Sequence, residues 1–568
     1  MRRPSLVLVF LMTLSLAACG GGGGSSGGGG LPPTPTPTPT QTPINGPTPA
    51  VVQGPGRALT GNAIYQGGWT PYGVASRLDF PVQHGWNGTG QGVAVVMDSK
   101  INASVVATYL STFGITESGK ITQIAIDGGA TGTSDQDEAY LDVETIAGLA
   151  PGANIYVYEI PDISSDKDLA DAYSKINSDG NARVVNNSFG GCEFPNPPED
   201  SFVAQGAAAG IAYIASGGDN GNVCNPPTQV GANWPASNPN MIGVGGTETG
   251  GSFATLTSDT VWNDKSCSGN TQCAGGGGVS GIYTLPTYQV GVAGESSTAN
   301  RNVPDLSLPA ESDNVYDGSW FLINGTSWSS PQYAALMAEV YQYCNVVSGI
   351  ANPVDLPYYV ARQYDKAYID TVSGNDEFGS TTPFYTAGPG YDNASGFGVP
   401  YGMAFANTLC PNRTQAPGVL ARSAAVQAVA EQPTTTLDVT PRVGGLVDLG
   451  QRSTIAATPV QIVLRSEGDR AAVESALQQA GFSIDHTYEY QRIVDAQAPS
   501  GTVEAFFRTR MHDVLQPGHG TRYLPATQIA LPDSIASHVV TVNLQNVATR
   551  HVLDQTWSSA ELSSVLSQ

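Results

Sequence analysis

The order of apolar segments predicts an α/β fold, a parallel sheet with helices on both faces, followed by a small α+β unit. Short apolar runs, "GVAVVMDS", "ANIYVYE", "ARVVNNSFG", "GIAYIASGG" and "MIGVGGT", each give way to turn residues, the pattern of strands buried on both faces. Alanine-rich segments, among them "DSFVAQGAAAG" and "PQYAALMAEVYQYC", suit the helices that cover such strands. After residue 455 the rhythm changes and sets off the second unit. A chain of 568 residues can bury a core in each.

From the N-terminus, Arg2 and Arg3 precede "LVLVFLMTLSLAAC", a run too short to span a bilayer and read as a secretory signal. Its end resembles a bacterial lipobox, so residues 1–19 are expected to be a lipoprotein signal, with Cys19 carrying the lipid. Residues 20–56 hold "GGGGSSGGGG" and "PTPTPTPTQTP", a flexible stretch and then a stiff one, which together make a tether. The protein is expected to be exported and held by lipid at the outer membrane or cell surface, or released from it. Its net charge is −24, its pI about 4.4 and its charged fraction only 13%. That balance argues against nucleic acid as a partner and suits work in acid.

Residues 57–412 carry the α/β pattern. Six cysteines lie in them: Cys192, Cys224, Cys267, Cys273, Cys344 and Cys410. An even number in an exported chain predicts three disulfides, Cys192–Cys224, Cys344–Cys410 and a short loop closed by Cys267–Cys273. Zinc is the alternative, but no paired C-x-x-C spacing supports it. Residues 413–455 read as a linker, and 456–550 as the α+β module, with 551–568 a tail. In the module "PVQIVLRS" is a strand. "DRAAVESALQQAGF" is a helix with Val473, Ala476, Leu477 and Ala480 on one face. "SGTVEAFFRT" is a second helix, with Ser500 as cap and Val503, Phe506 and Phe507 inward, and "ASHVVTVNL" a closing strand.

Three stretches carry chemistry. In "NGTSWSSP", Gly325 allows a sharp turn, Pro331 suits a first helical turn, and Ser327 is placed as a nucleophile or as a helix cap. In "SDQDEAYLDVE", Glu138 and Asp142 are four residues apart and share a helix face. Two such carboxylates share a proton and can work as base and acid at low pH, where imidazole is permanently charged. The plainer alternative is an acidic first turn capped by Ser134, with Asp137 three residues on. In "IASGGDNGN", Asp219 follows a strand and is a proton-bearing donor or a turn residue.

Taken in order, Glu-x-x-x-Asp, Gly-Asp-x-Gly and Gly-Thr-Ser-x-x-x-Pro resemble the sedolisin family of serine-carboxyl peptidases. The resemblance covers about residues 72 to 410 and includes "LAPGANIYVYE", "NNSFGG", "NWPASNPNMIGVGGTE" and "NVPDLSL". It implies a subtilisin-like fold and endopeptidase activity in acid through a Ser-Glu-Asp triad. Ser327 would be the nucleophile, Glu138 the base, Asp142 its partner and Asp219, where subtilisin-like enzymes carry asparagine, the oxyanion donor. The stretch containing Ser188, Phe189 and Gly190 would pair with the substrate peptide.

The resemblance further implies one Ca²⁺, held by side chains of Asp370 and Asp392 and by carbonyls of Thr371, Gly388 and Gly390. It also implies a large prodomain ahead of the peptidase unit, where here only linker precedes residue 57. The C-terminal module resembles part of that prodomain, in a ferredoxin-like order of elements. It is therefore expected to act on the catalytic domain in cis. Two rival readings stand beside this one. One is a histidine-dependent subtilisin-like protease using His84 and Asp98, although no "HGTH" stretch is present. The other is a surface lipoprotein that binds peptide or carbohydrate without catalysis.

Overall fold

A computed structural model describes residues 52–133, 135–224, 229–249, 259–268, 271–350, 352–413, 436–439, 443, 445–487, 492–552 and 555–556. Cys19 and the expected signal, with all of the tether but residues 52–56, lie outside them, as do Ser134 and most of the linker between the two units.

The first unit is built on β1 (Gly92–Met97), β2 (Ile121–Ala125), α1 (Gln136–Leu149), β3 (Asn154–Glu159), α2 (Asp166–Asp179), β4 (Val184–Asn187), β5 (Phe189–Cys192), α3 (Asp200–Ala208), β6 (Ala212–Ser216), β7 (Met241–Thr249), β8 (Asp259–Val261), β9 (Leu306–Pro309), β10 (Trp320–Asn324) and α4 (Thr326–Tyr343). Its main sheet is eight-stranded, in the order β8-β7-β6-β4-β1-β3-β2, with β9 also beside β7. All neighbours are parallel except β8, which runs antiparallel to β7. This is the subtilisin-like α/β arrangement expected from the apolar runs.

Strand β1 shows why those runs are apolar throughout. Val93, Val95 and Met97 point into the core shared with α1 and α4, whereas Ala94 and Val96 point to the opposite core under α2 and α3. Helix α2 is held at its start by Ser165, whose hydroxyl accepts the Asp168 N–H at 3.3 Å. It ends at Gly180 in the left-handed conformation. Three disulfides join Cys192–Cys224, Cys267–Cys273 and Cys344–Cys410, the expected pairing.

The second unit contains β11 (Ala457–Leu464), α5 (Arg470–Gln479), β12 (Ser483–Thr487), β13 (Ile493–Pro499), α6 (Ser500–Phe507) and β14 (Val539–Asn543). Its sheet runs β12-β13-β11-β14, all antiparallel, the ferredoxin-like order. Val473 and Leu477 are buried, with Ala476 and Ala480 packed beside them. Ser500 is the first residue of α6 and makes no capping bond; Pro499 holds the cap position, which corrects the expected cap.

The two faces of this second sheet have different partners. Ile462, Val494 and Ala496 face the module's own helices, while Val463 and Ile493 join the core under α2 and α3. Burial of each of these two side chains is worth about 1.5–3 kcal/mol. Polar contacts flank them: Lys167 pairs with Asp495 at 3.1 Å, and Gln461 donates to Asp171 at 3.2 Å. Past β14 the chain continues along the first unit as β15 (His551–Val552) and β16 (Gln555–Thr556).

Candidate active site

Helix α4 begins at Thr326, directly after Gly325, whose φ of 153° suits glycine. Ser327 is its second residue, so the expected cap role falls away. Pro331 lies inside the helix rather than at its start. A proline there has no N–H for the carbonyl four residues back, which is that of Ser327. The Ser188 hydroxyl lies 3.2 Å from this carbonyl oxygen.

Ser188, between β4 and β5, links two parts of the site. Its hydroxyl also lies 2.6 Å from Asp142 Oδ1 and accepts from Asn186 Nδ2 at 3.1 Å. Asn186 Oδ1 in turn accepts from Ser330 on α4 at 2.6 Å. Asp142 is fully buried on α1, and burial pushes its carboxyl up to about 8 despite the hydrogen bonds from Ser188 and Asn186. Glu138, also fully buried, stands one turn earlier on the same helix, which packs along α4.

Asp219 follows β6 and Gly218, whose φ is 111°. Its Oδ1 accepts both the N–H and the hydroxyl of Thr326, each at 2.8 Å, and the Thr326 hydroxyl accepts the Gly218 N–H at 3.0 Å. The carboxyl is thereby pinned to the residue before Ser327. Ser327 itself is fully buried.

Burial of Ser327 goes with a chain segment that the sequence reading left as a tail. His551 pairs with Gly190 and Val552 with Phe189, antiparallel to β5. Gln555 pairs with Asn324 and Thr556 with Ile323, antiparallel to β10. The first pairing is on the strand that follows Ser188, whose hydroxyl lies 3.2 Å from the Ser327 carbonyl, and the second is on the strand that leads into the helix of Ser327. Leu553 and Asp554 are outside the described residues. Gly191 permits the approach, since a Cβ there would collide with the Thr549 carbonyl oxygen. The strand expected to receive peptide, Ser188 to Gly190, here receives the protein's own chain.

The loops expected to hold metal also come together. Asp370 follows a short strand at Tyr368–Ile369, and its Oδ2 accepts the Gly390 N–H at 2.9 Å. Asp392 Oδ2 accepts the Gly388 N–H at 2.9 Å, and its Oδ1 those of Ala394 and Ser395. Both carboxyls sit above the usual range because burial opposes their charge. The Thr371 hydroxyl is buried without a hydrogen-bond partner among the described residues.

His84 is elsewhere. It pairs with Asp79 at 2.6 Å, and nearby Val82 donates to Glu339, twelve residues or about 18 Å along α4 from Ser327. Asp98, at the end of β1, accepts from Ile163 at 3.0 Å. A histidine-based charge relay is not assembled from these two.

Comparisons with known proteins agree with this geometry. Residues 123–393 match the subtilase family, and residues 460–547 match the pro-kumamolisin activation domain. Kumamolisin from Bacillus sp. (strain MN-32) is 30% identical over 379 residues, covering 61% of this chain and 65% of that one. Sedolisin from Pseudomonas sp. (strain 101) is 32% identical over 287 residues, covering 46% of this chain and 47% of that one. The alignments thus span less than two thirds of either relative. Among solved structures, Pseudomonas sedolisin (serine-carboxyl proteinase), complexed with two molecules of pseudo-iodotyrostatin, aligns with a TM-score of 0.54 at 26% identity. That alignment covers 61% of this chain and 99% of the other.

Proposed function

Because the chain belongs to the sedolisin family, with its activation-domain module placed after the peptidase unit, we propose that it is an acid-active serine-carboxyl endopeptidase. The observation that carries this reading is the pairing of His551 and Val552 with Gly190 and Phe189, next to Ser188, and of Gln555 and Thr556 with Asn324 and Ile323, on the strand that leads into Ser327. A peptide substrate would take the same path, held by backbone bonds on both sides of the bond to be cut.

In this mechanism Ser327 Oγ attacks the carbonyl carbon and Glu138 takes its proton. Asp142, protonated over the acid range because its carboxyl is pushed up to about 8, donates from Oδ2 to Glu138 and keeps it ionised as base. Asp219, protonated at Oδ2, donates to the oxyanion of the tetrahedral intermediate. Glu138 then returns the proton to the leaving amine, and a water repeats the cycle on the acyl-enzyme. Peptides and proteins are the substrates, and the C-terminal module with its tail blocks the cleft in cis until displaced.

Asp370 and Asp392 with the carbonyls of Thr371, Gly388 and Gly390 would hold one Ca²⁺. Two carboxyls whose burial opposes their charge, converging on one glycine-rich loop, fit a hard cation. The ion would tie two loops together, a structural task. Cys19 would anchor the exported protein to a membrane by lipid.

The test compares purified wild type with Ser327→Ala and Glu138→Gln on a protein substrate at pH 4. Wild type is expected to hydrolyse it, and each variant to lose at least about 10⁴-fold while melting normally. Wild-type-like turnover by Glu138→Gln ends the carboxylate-base mechanism.

A further inference from the structure

Immediately before the segment that crosses the cleft, Arg550 enters the first unit and is completely buried there. Its guanidinium lies 3.9 Å from the centre of the Trp234 ring and 4.9 Å from that of Phe194. Nη2 is 3.4 Å from Asp166 Oδ1, and Nη1 donates to the Thr549 carbonyl at 3.0 Å. Glu199, fully buried and hydrogen-bonded to the Asp166 carboxyl, completes the acidic wall. Asp166 Oδ1 also accepts from Thr549 Oγ1, and its Oδ2 from Gln545, both at 2.6 Å.

All four walls, Phe194, Trp234, Asp166 and Glu199, belong to the peptidase unit, while Arg550 and the Thr549 and Gln545 side chains that donate to Asp166 come from the module side. An aromatic face with two carboxylates is the chemistry that recognises a planar cation. Burial pushes both carboxyls up, so the pair shares a proton and presents one negative charge to the guanidinium. The pocket's position along the cleft is set by register. Arg550 precedes the His551–Gly190 pair, and the chain has passed Ser327 by the Gln555–Asn324 pair. A bond cut between Val552 and Gln555 would leave Arg550 as the third to fifth residue on the acyl side.

We infer that this pocket is a substrate subsite selective for an arginine side chain upstream of the scissile bond, occupied by Arg550 in the closed chain. The inference rests on the peptidase reading and names a substrate class for it: peptides carrying arginine three to five residues before the cut.

The test uses full-length wild type and two nine-residue peptides with the sequence of residues 549–557, one with arginine and one with neutral, near-isosteric citrulline at the position of Arg550. The cis segment lowers access for both peptides by the same factor, so the ratio of their kcat/KM values reports the subsite alone. Arginine is expected to be preferred by at least about tenfold. The ratio should fall toward one in Asp166→Asn and in Glu199→Gln. A ratio near one in wild type overturns the subsite and leaves Arg550 as an anchor of the module. Should wild type hydrolyse neither peptide nor a protein substrate between pH 3 and 8, even once the C-terminal module is displaced, the peptidase reading falls. Anisotropy of dye-labelled peptides on Ser327→Ala then decides the subsite separately. Tighter binding of the arginine peptide supports it, and equal binding refutes it.

Discussion

The hydroxyl of Ser188 lies 2.6 Å from Asp142 Oδ1 and within reach of the Ser327 carbonyl, so one side chain joins the helix of Glu138 and Asp142 to the helix of Ser327. Its bond draws the Asp142 carboxyl down against the effect of burial. Ser188→Ala should therefore let Asp142 keep its proton to higher pH. If that proton sets the alkaline limit of activity, the limit moves upward, while kcat falls about tenfold or more as the base loses its support. Ser188→Thr should restore both. A pH profile of kcat/KM for the three proteins checks this; an unshifted profile in Ser188→Ala removes Ser188 from the proton-sharing group.

Asp219 is pinned by Thr326, and as the proposed oxyanion donor it would need a proton. Asp219→Ala should lose about 10²–10³ in kcat at every pH. Asp219→Asn, which donates at any pH, should stay active and lose activity at a higher pH than wild type. Full activity of Asp219→Ala anywhere between pH 3 and 8 would reduce Asp219 to a turn residue.

Calcium at the Asp370 and Asp392 loops would add stability by binding only the native state. Exhaustive EDTA treatment should lower the melting temperature by about 5 °C or more, and added Ca²⁺ should restore it. Asp392→Asn should start at the lower value and respond to neither. An unchanged melting curve after chelation counts against the ion.

Stability should depend on pH in a definite direction. Asp142 and Asp98 have carboxyls pushed up to about 8 and about 7, chiefly by burial. Between the ordinary carboxylate range and those values the native state holds protons that the unfolded chain releases. Stability from these groups is thus fully present in acid and is lost as pH rises through about 7 to 8. Differential scanning calorimetry at fixed calcium should give a melting temperature higher at pH 5 than at pH 8 by about 5 °C or more. The opposite slope would show that paired, not buried, carboxylates dominate.

Much of this was legible in the residues. The strands of the main sheet are apolar on both faces, as Val93 to Met97 illustrate, and such runs announce a parallel sheet without any tertiary information. Glu138 and Asp142 were readable because helical spacing alone puts them on one face. The bonding of Ser188 was not, since it depends on three segments distant in sequence meeting at one point. A hint lay in "NNS", polar residues at the end of a strand otherwise built for a core. Start and cap of α4 were misplaced because Pro331 suggests a helix beginning, whereas here it interrupts the hydrogen-bond ladder from within. Arg550 gave no local signal at all. A lone arginine near a C-terminal strand looks like any solvated charge, and only the fold brings Trp234, Phe194, Asp166 and Glu199 around it.

Chains are made from the N-terminus onward, and that order bears on the segment from His551 to Thr556. Strands β5 and β10, which it covers, emerge from the ribosome more than two hundred residues earlier. At about 5–20 residues per second the interval is roughly ten to forty seconds. For the later part of that time, after residue 412, the peptidase unit is complete in sequence while its own stopper is still unwritten. Whatever keeps a nascent peptidase harmless in this window is not the covalently attached segment, and slow acquisition of Ser327 geometry before the module docks would serve. In the proposed reading the cleft is thus guarded late, by a part made after the unit it covers.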